Sequence, residues 1–394
     1  MNLSADNNKK LKILIMSAPI GSGHKMAAVA LGEAFRNMEN VEVVQGNVFD
    51  FLPSISGNAF LKFYETVLAV CPSLYAFSYR WSNQGGGSLW IRNLVNSLLL
   101  HLGKSFIQKV NPDVVFSTHA TPTGIFSLYK QKYNSKLWLG VAITDFTVHR
   151  WLVCPGVDAY FVADEKLLEQ MGGNERKFAC GIPVRSVFSE HNDIKAIRKS
   201  VCDALGWPSD AYVCLLAGGG GGMLPMDDIA CHLLQNNNNK VHVIAVAGHN
   251  DALRKKLIML QKRVLSGNKD KNVSRLAVFG FTDDLPLLMQ AADIVVTKAG
   301  GVSAAECLSC GTDVLIYKPL PGQEQANTAF LEKEYGFTAV TDIRQLESYL
   351  GQAMCIPLSE RLCLQQQRKE LFGRPDAAQR IAELTEKLYH LNTI

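Results

Sequence analysis

Residues Leu11–Phe35, LKILIMSAPIGSGHKMAAVALGEAF, open with an apolar run, pass through a turn holding two glycines and continue with apolar residues at helical spacing. Leu11–Met16 predicts a buried strand and Met26–Phe35 a helix. Between them, Gly21 and Gly23 let backbone N–H groups approach a ligand at the helix N-terminus, where the helix dipole favours negative charge. A strand that runs straight into a helix in this way begins a parallel sheet with crossover helices. The turn lacks the GxxxxGK[ST] spacing of a Walker loop. It carries His24, for which two roles stand open: ligand binding or proton transfer at the sheet edge, and a helix cap or core position.

The same alternation recurs outward from this point. Strands are expected at Leu11–Met16, Val41–Val44, Asp113–Ser117, Leu137–Ile143 and Asp158–Ala163, and in a second series at Tyr212–Ala217, Val241–Ala247, Leu276–Phe279, Asp293–Thr297 and Asp313–Tyr317. The pattern predicts an α/β protein of two doubly wound domains, residues 1–183 and 184–374, with the seam at Gly181-Ile182-Pro183-Val184 and Ile194–Leu205 as the first helix of the second half. In Pro375–Leu391, Ala377, Ile381, Leu384 and Leu388 fall at helical spacing with no strand after them, so 375–394 should be a helix that returns across the seam. Ligands bind at the C-terminal strand edges of such sheets, and the site is expected to draw on both halves.

Composition narrows the function classes. The chain has 394 residues, enough for two or three domains, with 47% hydrophobic and 19% charged residues, which is a folded and somewhat apolar chain. No apolar run reaches the roughly 18–20 residues of a spanning helix, since Leu89–Leu102 is broken by Arg92, Asn93, Asn96 and Ser97. The opening residues MNLSADNNKK lack a secretory apolar centre, so a cytoplasmic location is expected. The ten cysteines then read as reduced core residues, and the Cys307/Cys310 pair has knuckle spacing without a second pair to complete a metal site. A net charge of +4 makes no case for nucleic acid. Arg254, Lys255, Lys256, Lys262, Arg263, Lys269, Lys271 and Arg275, against the single acid Asp270, form either a solvated face or a surface drawn to anionic lipid.

Four stretches carry chemistry. Ala217 is followed by five glycines, Gly218–Gly222, a backbone against which a pyrophosphate can lie, or simply a flexible loop. Thr297-Lys298-Ala299-Gly300-Gly301-Val302-Ser303-Ala304-Ala305-Glu306 is a strand, turn and helix; Glu306 can accept from the paired hydroxyls of a ribose or lie on the surface. Lys318-Pro319-Leu320-Pro321-Gly322-Gln323-Glu324-Gln325-Ala326-Asn327 clusters amides and carboxylates that suit sugar hydroxyls, or a helix cap. Thr144–Trp151 places Asp145 and His149 where either can orient His24 or share its proton, while Asp145 also fits as a loop cap. The chain has no Asp-x-Asp pair, so a diphosphate should be neutralised by helix ends, backbone amides and Lys298, with no metal and no cofactor. Phe51–Leu102 is long for a crossover. Its Phe60, Phe63, Tyr64, Val67 and Leu68 share a helical face, followed by Trp81 and Trp90 with Lys62, Arg80 and Arg92 interleaved, which reads as a headgroup-layer surface or a helix-packing core. Gly85-Gly86-Gly87 gives that segment a hinge.

Together GSGHKMAA, TDF-x-x-H with the following VDAYFVA, GIPVR, the poly-glycine turn, VFGFTDDLPLLMQAADIVVTKAGGVSAAE and PLPGQEQAN resemble the glycosyltransferases that make monogalactosyl- and glucosyl-diacylglycerol, including the processive diacylglycerol β-glucosyltransferases, of the family 28 type. The resemblance implies a GT-B fold of two Rossmann-like domains facing across a cleft. It further implies UDP-glucose or UDP-galactose held by 184–374, and inverting, metal-independent transfer to a lipid hydroxyl held by the membrane-facing 1–183. Under it His24 is similar to the residue that takes the acceptor proton, and Phe281 with Thr282 to the position that meets uracil. Gly219, Gly220 and Gly221 with Lys298, Gly300, Gly301, Val302 and Ser303 surround the diphosphate. Glu306 corresponds to the ribose ligand and Gln323 and Glu324 to the sugar ligands; beside the resemblance, Asn327 is expected at the donor, and Phe60, Phe63, Tyr64, Trp81 and Trp151 on the acceptor and membrane side. Relatives read H-x-x-W and then His-Pro after the TDF stretch, whereas this chain has Trp151 one residue early, Leu152, and Cys154 before Pro155. Transfer to a soluble acceptor, 2-epimerisation of a sugar nucleotide and a non-catalytic UDP-sugar sensor stay open as other uses of the fold. An anionic membrane surface is the expected partner, with the protein peripheral on it.

Overall fold

The computed structural model describes residues 10–18, 22–51, 81, 83, 87–173, 175–189, 193–235, 241–267 and 275–393. They form two units. The first takes the described residues up to Ser186 together with Pro321–Gln323 and Pro375 onward; the second takes Val187–Leu320 and Glu324–Arg374.

In the first unit the order is β1 (Leu11–Ser17), α1 (Ser22–Arg36), β2 (Val41–Asn47), α2 (Gly87–Val110), β3 (Val114–Ser117), α3 (Ala120–Tyr133), β4 (Trp138–Ala142), β5 (Ala159–Val162) and β6 (Arg176–Ala179). The strands make one parallel sheet in the order β2-β1-β3-β4-β5-β6, with Gln45, Ile15, Phe116, Gly140, Ala159 and Arg176 in register across it. The order reverses between β1 and β3, so the loops leaving those two strands part and open a crevice at their C-terminal ends. Ile13–Met16 are fully buried, because parallel strands are covered on both faces and read as unbroken apolar runs. Phe116 is the centre of the core, its ring 5.1 Å from Phe35 and 5.7 Å from both Trp138 and Phe161.

The second unit runs α4 (Ile194–Leu205), β7 (Tyr212–Ala217), α5 (Met226–Gln235), β8 (Val241–Val246), α6 (Asp251–Gly267), β9 (Leu276–Phe279), α7 (Leu285–Ala291), β10 (Ile294–Thr297), α8 (Gly301–Cys310), β11 (Asp313–Tyr317), α9 (Gln323–Tyr335), β12 (Thr338–Val340), α10 (Ile343–Ala353) and α11 (Leu358–Phe372). Its parallel sheet has the order β12-β11-β10-β7-β8-β9, and its reversal lies between β7 and β10. Leu216, Ala245, Val296 and Leu315 pack with Met226, Ile229, Leu233, Leu257, Leu346 and Leu350. Below the sheet, Asp293 accepts from Val213 N at 2.7 Å and pairs with Arg198 at 2.9 Å and with Arg361.

The predicted strands are all present, and two further ones, β6 and β12, are edge strands. β6 is Arg-Lys-Phe-Ala and β12 has three residues, so neither shows the apolar run that marks an interior strand. The tail is α12 (Ala377–Thr393), and it does return to the first unit: Ala378, Ile381 and Ala382 join the core cluster of Ile13, Leu31 and Phe35.

Ile381 is fully buried in that cluster, so Ile381→Ala should destabilise the protein by about 2–5 kcal/mol through lost transfer energy and the cavity left behind. Urea unfolding followed by circular dichroism should show a lower midpoint at unchanged slope. An unchanged midpoint would mean that α12 contributes no packing energy.

Candidate active site

The crevice of the first sheet is built around His24, the third residue of α1. Its Nδ1 lies 2.8 Å from the carbonyl oxygen of Thr118, which leaves β3, and 2.7 Å from Oγ1 of Thr144, which follows β4. A carbonyl oxygen only accepts, so Nδ1 carries the proton and the ring's lone pair is on Nε2. Thr118 Oγ1 donates back to the carbonyl of His24 at 3.1 Å, which ties the turn to the strand end. The groups that orient His24 are therefore Thr118 and Thr144 rather than Asp145 or His149. Asp145 accepts from Gln323 Nε2 at 2.5 Å. His149 caps the short turn Arg150–Leu152, its Nδ1 accepting from Trp151 N at 3.2 Å, so the cap anticipated for Asp145 is made by His149.

Sequence reading passed over His119. It is the N-cap of α3, its Nδ1 accepts from Thr121 N at 3.2 Å, and its ring meets that of His24 edge-on with centroids 4.8 Å apart and planes 82° apart. Desolvation, then His24 and His149, hold its pKa well below the ordinary histidine value. The available signal was positional: Ser117-Thr118-His119 is the exit of a central strand at the point where strand order reverses.

The second sheet carries the other predicted residues. The glycine run is a tied turn rather than a flexible loop. Gly222 N donates to Gly219 O at 3.0 Å, Met223 N to Gly218 O at 3.2 Å and His249 N to Gly220 O at 3.0 Å. Gly222 (φ +59°) and Gly248 (φ +59°) face each other's turns: a Cβ at Gly222 would come within 2.5 Å of Ala247 O, and one at Gly248 within 2.6 Å of Gly220 O. Those two glycines serve turn packing, whereas a Cβ at Gly221 would meet nothing closer than 3.7 Å.

Gly300 caps α8 with no side chain, leaving the first amides of that helix without a side-chain acceptor; Val302 is buried and Ser303 half-buried. Glu306, one turn in, is only 6% exposed, which removes the surface reading of it. Lys298 Nζ donates to Lys318 O at 3.0 Å. Lys318 holds φ +49°, a left-handed conformation that a non-glycine keeps only when its surroundings demand it. Burial pushes the Lys298 pKa down, opposed by Glu324, and burial pushes the Glu324 pKa up, opposed by the Leu320 N–H at 2.8 Å and by Lys298. Asn327, expected at the donor, is buried and donates Nδ2–H to Ala299 O at 3.0 Å, bracing the turn before α8. Phe281 is 54% exposed and stacks on His249, with centroids 4.4 Å apart and planes 9° apart, and Thr282 Oγ1 accepts from Asp284 N at 3.1 Å. Cys307 and Cys310 are buried in α8 with their thiol pKa values pushed up by burial, in keeping with core residues.

Phe60, Phe63 and Tyr64 lie outside the described residues, as do Gly85 and Gly86. Trp81 is exposed and Trp151 half-buried. Arg92 corrects the interleaved-cation reading: it is buried and donates Nη1–H to the carbonyls of Trp151 at 3.4 Å and Val153 at 3.2 Å. The first half of α2 is inverted, with Ser88, Arg92 and Asn96 inside and Trp90, Ile91, Leu94, Val95 and Leu98 outside. Among the described residues no helix is long and apolar enough to cross a membrane.

Residues 24–184 match the monogalactosyldiacylglycerol synthase family model, and residues 215–381 match the glycosyltransferase family 28 C-terminal domain. The processive diacylglycerol beta-glucosyltransferase of Bacillus cereus is 27% identical over 344 residues, covering 85% of this chain and 83% of that one. Among solved structures, MurG of Acinetobacter baumannii aligns with a TM-score of 0.61 at 14% identity, over 96% of this chain and 99% of that one. A UDP-glucosyltransferase of Polygonum tinctorium aligns with a TM-score of 0.63 at 12% identity, over 97% and 99%. The fold is GT-B, the resemblance read from the motifs is borne out, and the chain is a glycosyltransferase.

Because His119 is neutral in the fold at pH values where an unfolded histidine, with a pKa of about 6.5, takes up a proton, the unfolded chain binds more protons and stability falls as pH drops below that value. His119 should contribute a slope of up to about 1.4 kcal/mol per pH unit between that value and its depressed folded pKa. Denaturant melts at pH 7 and 5.5 should show a smaller loss for His119→Asn than for the parent chain; equal losses would place the proton uptake elsewhere.

Proposed function

We propose that this glycosyltransferase moves glucose or galactose from a UDP-sugar to the hydroxyl of a diacylglycerol-type lipid, with inversion at C1, to give a β-glycolipid. The observation that carries the reading is the His24 ring, whose Nδ1–H is committed to Thr118 and whose Nε2 keeps its lone pair at the strand-order reversal of the first sheet. Nε2 takes the proton of the acceptor hydroxyl as its oxygen forms a bond to C1, on the face opposite the nucleotide. The bond from C1 to the diphosphate breaks, and UDP leaves with the bonding pair.

Charge gained by the leaving diphosphate is met by the N-terminal amides of α8 at Gly301–Ser303, by Lys298, and by the Gly219–Gly221 turn. With no Asp-x-Asp pair in the chain, these groups do the work that a bridging metal does elsewhere, and no cofactor enters the scheme. Glu306 accepts from the ribose hydroxyls, Phe281 and Thr282 meet the uracil, and Glu324 with Gln323 faces the sugar, where Asn327 acts through the turn it braces. Asp145 holds Gln323, and His149 caps the loop that carries Trp151.

A lipid acceptor is favoured over a soluble one by α2. Its 24 residues contain Arg92, Lys104 and Lys109 but no Asp or Glu. An outward row of large apolar side chains on an acid-free helix suits an anionic lipid surface, on which the protein would sit peripherally at the cytoplasmic face.

Purified protein given radiolabelled UDP-glucose or UDP-galactose with diacylglycerol in mixed micelles should yield a β-linked glycolipid. His24→Ala should lower kcat by at least about 100-fold while calorimetry finds UDP affinity unchanged. Turnover by His24→Ala at the parent rate would remove it as the base.

Trp90, Leu94 and Leu98 are 68%, 57% and 61% exposed, so replacing all three by Ser should leave the melting temperature in place. The triple variant should lose co-sedimentation with phosphatidylglycerol vesicles. Sedimentation equal to that of the parent would show that α2 is not the lipid-facing surface.

A further inference from the structure

His119 and His24 are two imidazoles of opposite polarity. The backbone N–H of Thr121 only donates, so Nδ1 of His119 is the bare nitrogen and, in the neutral ring, Nε2 carries the proton. In His24 the assignment is reversed, because Thr118 O only accepts. Among the described residues neither Nε2 has a hydrogen-bond partner: one presents a lone pair, the other an N–H, on rings whose centroids are 4.8 Å apart. A hydroxyl group has one hydrogen to give and two lone pairs to accept with. A lone pair and an N–H together are the complement of that group.

We propose that His119 orients the acceptor hydroxyl, donating Nε2–H to its oxygen so that the O–H points at Nε2 of His24. This rests on His24 being the base in the reaction proposed above. No proton leaves His119: the hydroxyl proton goes to His24, the oxygen bonds to the sugar, and His119 stays neutral throughout. Its place at the cap of α3 keeps it so. The amides at a helix N-terminus disfavour a cation there, and burial and the neighbouring His24 and His149 act in the same direction. A neutral His119 also spares His24 a fixed positive charge at the moment when His24 itself becomes cationic. The carbonyl of His119 is fixed in turn, accepting from Ser117 Oγ at 2.8 Å and Thr123 Oγ1 at 2.9 Å, so the backbone that carries the ring is held from both sides.

The two nitrogens can be tested apart. Asparagine reproduces the Nδ1 position: His119→Asn keeps an acceptor for Thr121 N–H but loses the distal donor. Glutamine reproduces the Nε2 position: His119→Gln keeps a distal N–H but gives up the cap. The expected result is a kcat lowered about 10²-fold in His119→Asn, with most of that loss recovered in His119→Gln. The melting temperature should move the other way, lower for Gln than for Asn. UDP affinity by calorimetry should be the same in both, and a cooperative melting transition shows that each is folded. If instead His119→Asn turns over like the parent and His119→Gln is slow, the residue acts only as a helix cap and the proposal fails. His24→Ala measured alongside separates the two readings. Parent-level turnover there overturns the base assignment itself, whereas loss of turnover there combined with an active His119→Asn overturns only the orienting role.

Discussion

A parallel sheet must be covered on both faces, and this constraint organises the rest of the molecule. Covering helices oblige every connection to cross over, every crossover brings the chain back to the same edge, and all strands therefore end on one side. Where strand order reverses, two neighbouring loops diverge and leave backbone groups unclaimed. In the first unit that place holds His24, Thr118, His119 and Thr144, drawn from the exits of β1, β3 and β4. In the second it holds the glycine turn after β7 and the Lys298–Gly301 turn after β10.

The two units solve different electrostatic problems at equivalent places. In the first, two imidazoles are held in opposite tautomers: one is tied through Nδ1–H to a carbonyl, the other through bare Nδ1 to an amide, and burial keeps the second from charging. In the second, positive potential is accumulated from an uncapped helix end and a partly desolvated lysine whose ammonium is anchored on a strained residue, Lys318. Neutrality suits the removal of a proton from a hydroxyl; fixed positive potential suits a departing diphosphate.

The inversion of α2 has a comparable logic. A helix on a water-facing surface turns its apolar stripe inward, since each Å² of apolar surface left in water forgoes about 25 cal/mol. Here Arg92 is turned inward and held by the carbonyls of Trp151 and Val153, while Trp90, Leu94 and Leu98 remain outside. That arrangement is costly in water and less so against an apolar phase.

The sequence by itself determined the two doubly wound halves, ten of the twelve strands described and the returning C-terminal helix, because buried parallel strands and amphipathic helices each write a periodic apolar pattern that survives without tertiary context. It also marked His24, Glu306, Lys298 and Glu324, each next to a glycine or proline turn that punctuates a strand exit. Edge strands β6 and β12 escaped it, since one is charged and the other is three residues long. What only the tertiary structure decided is which groups meet. Thr118 is 94 residues from His24, and Thr144 is 120 residues from it, so no local pattern names them as the partners that set its tautomer. Likewise the amide of Asn327 bonds Ala299 O, 28 residues away, and Arg92 reads as a surface cation until it is seen beneath the helix that carries it. Hydrogen bonds between distant segments depend on how crossovers bring strand ends together, and that is a property of the assembled sheet rather than of any stretch of chain.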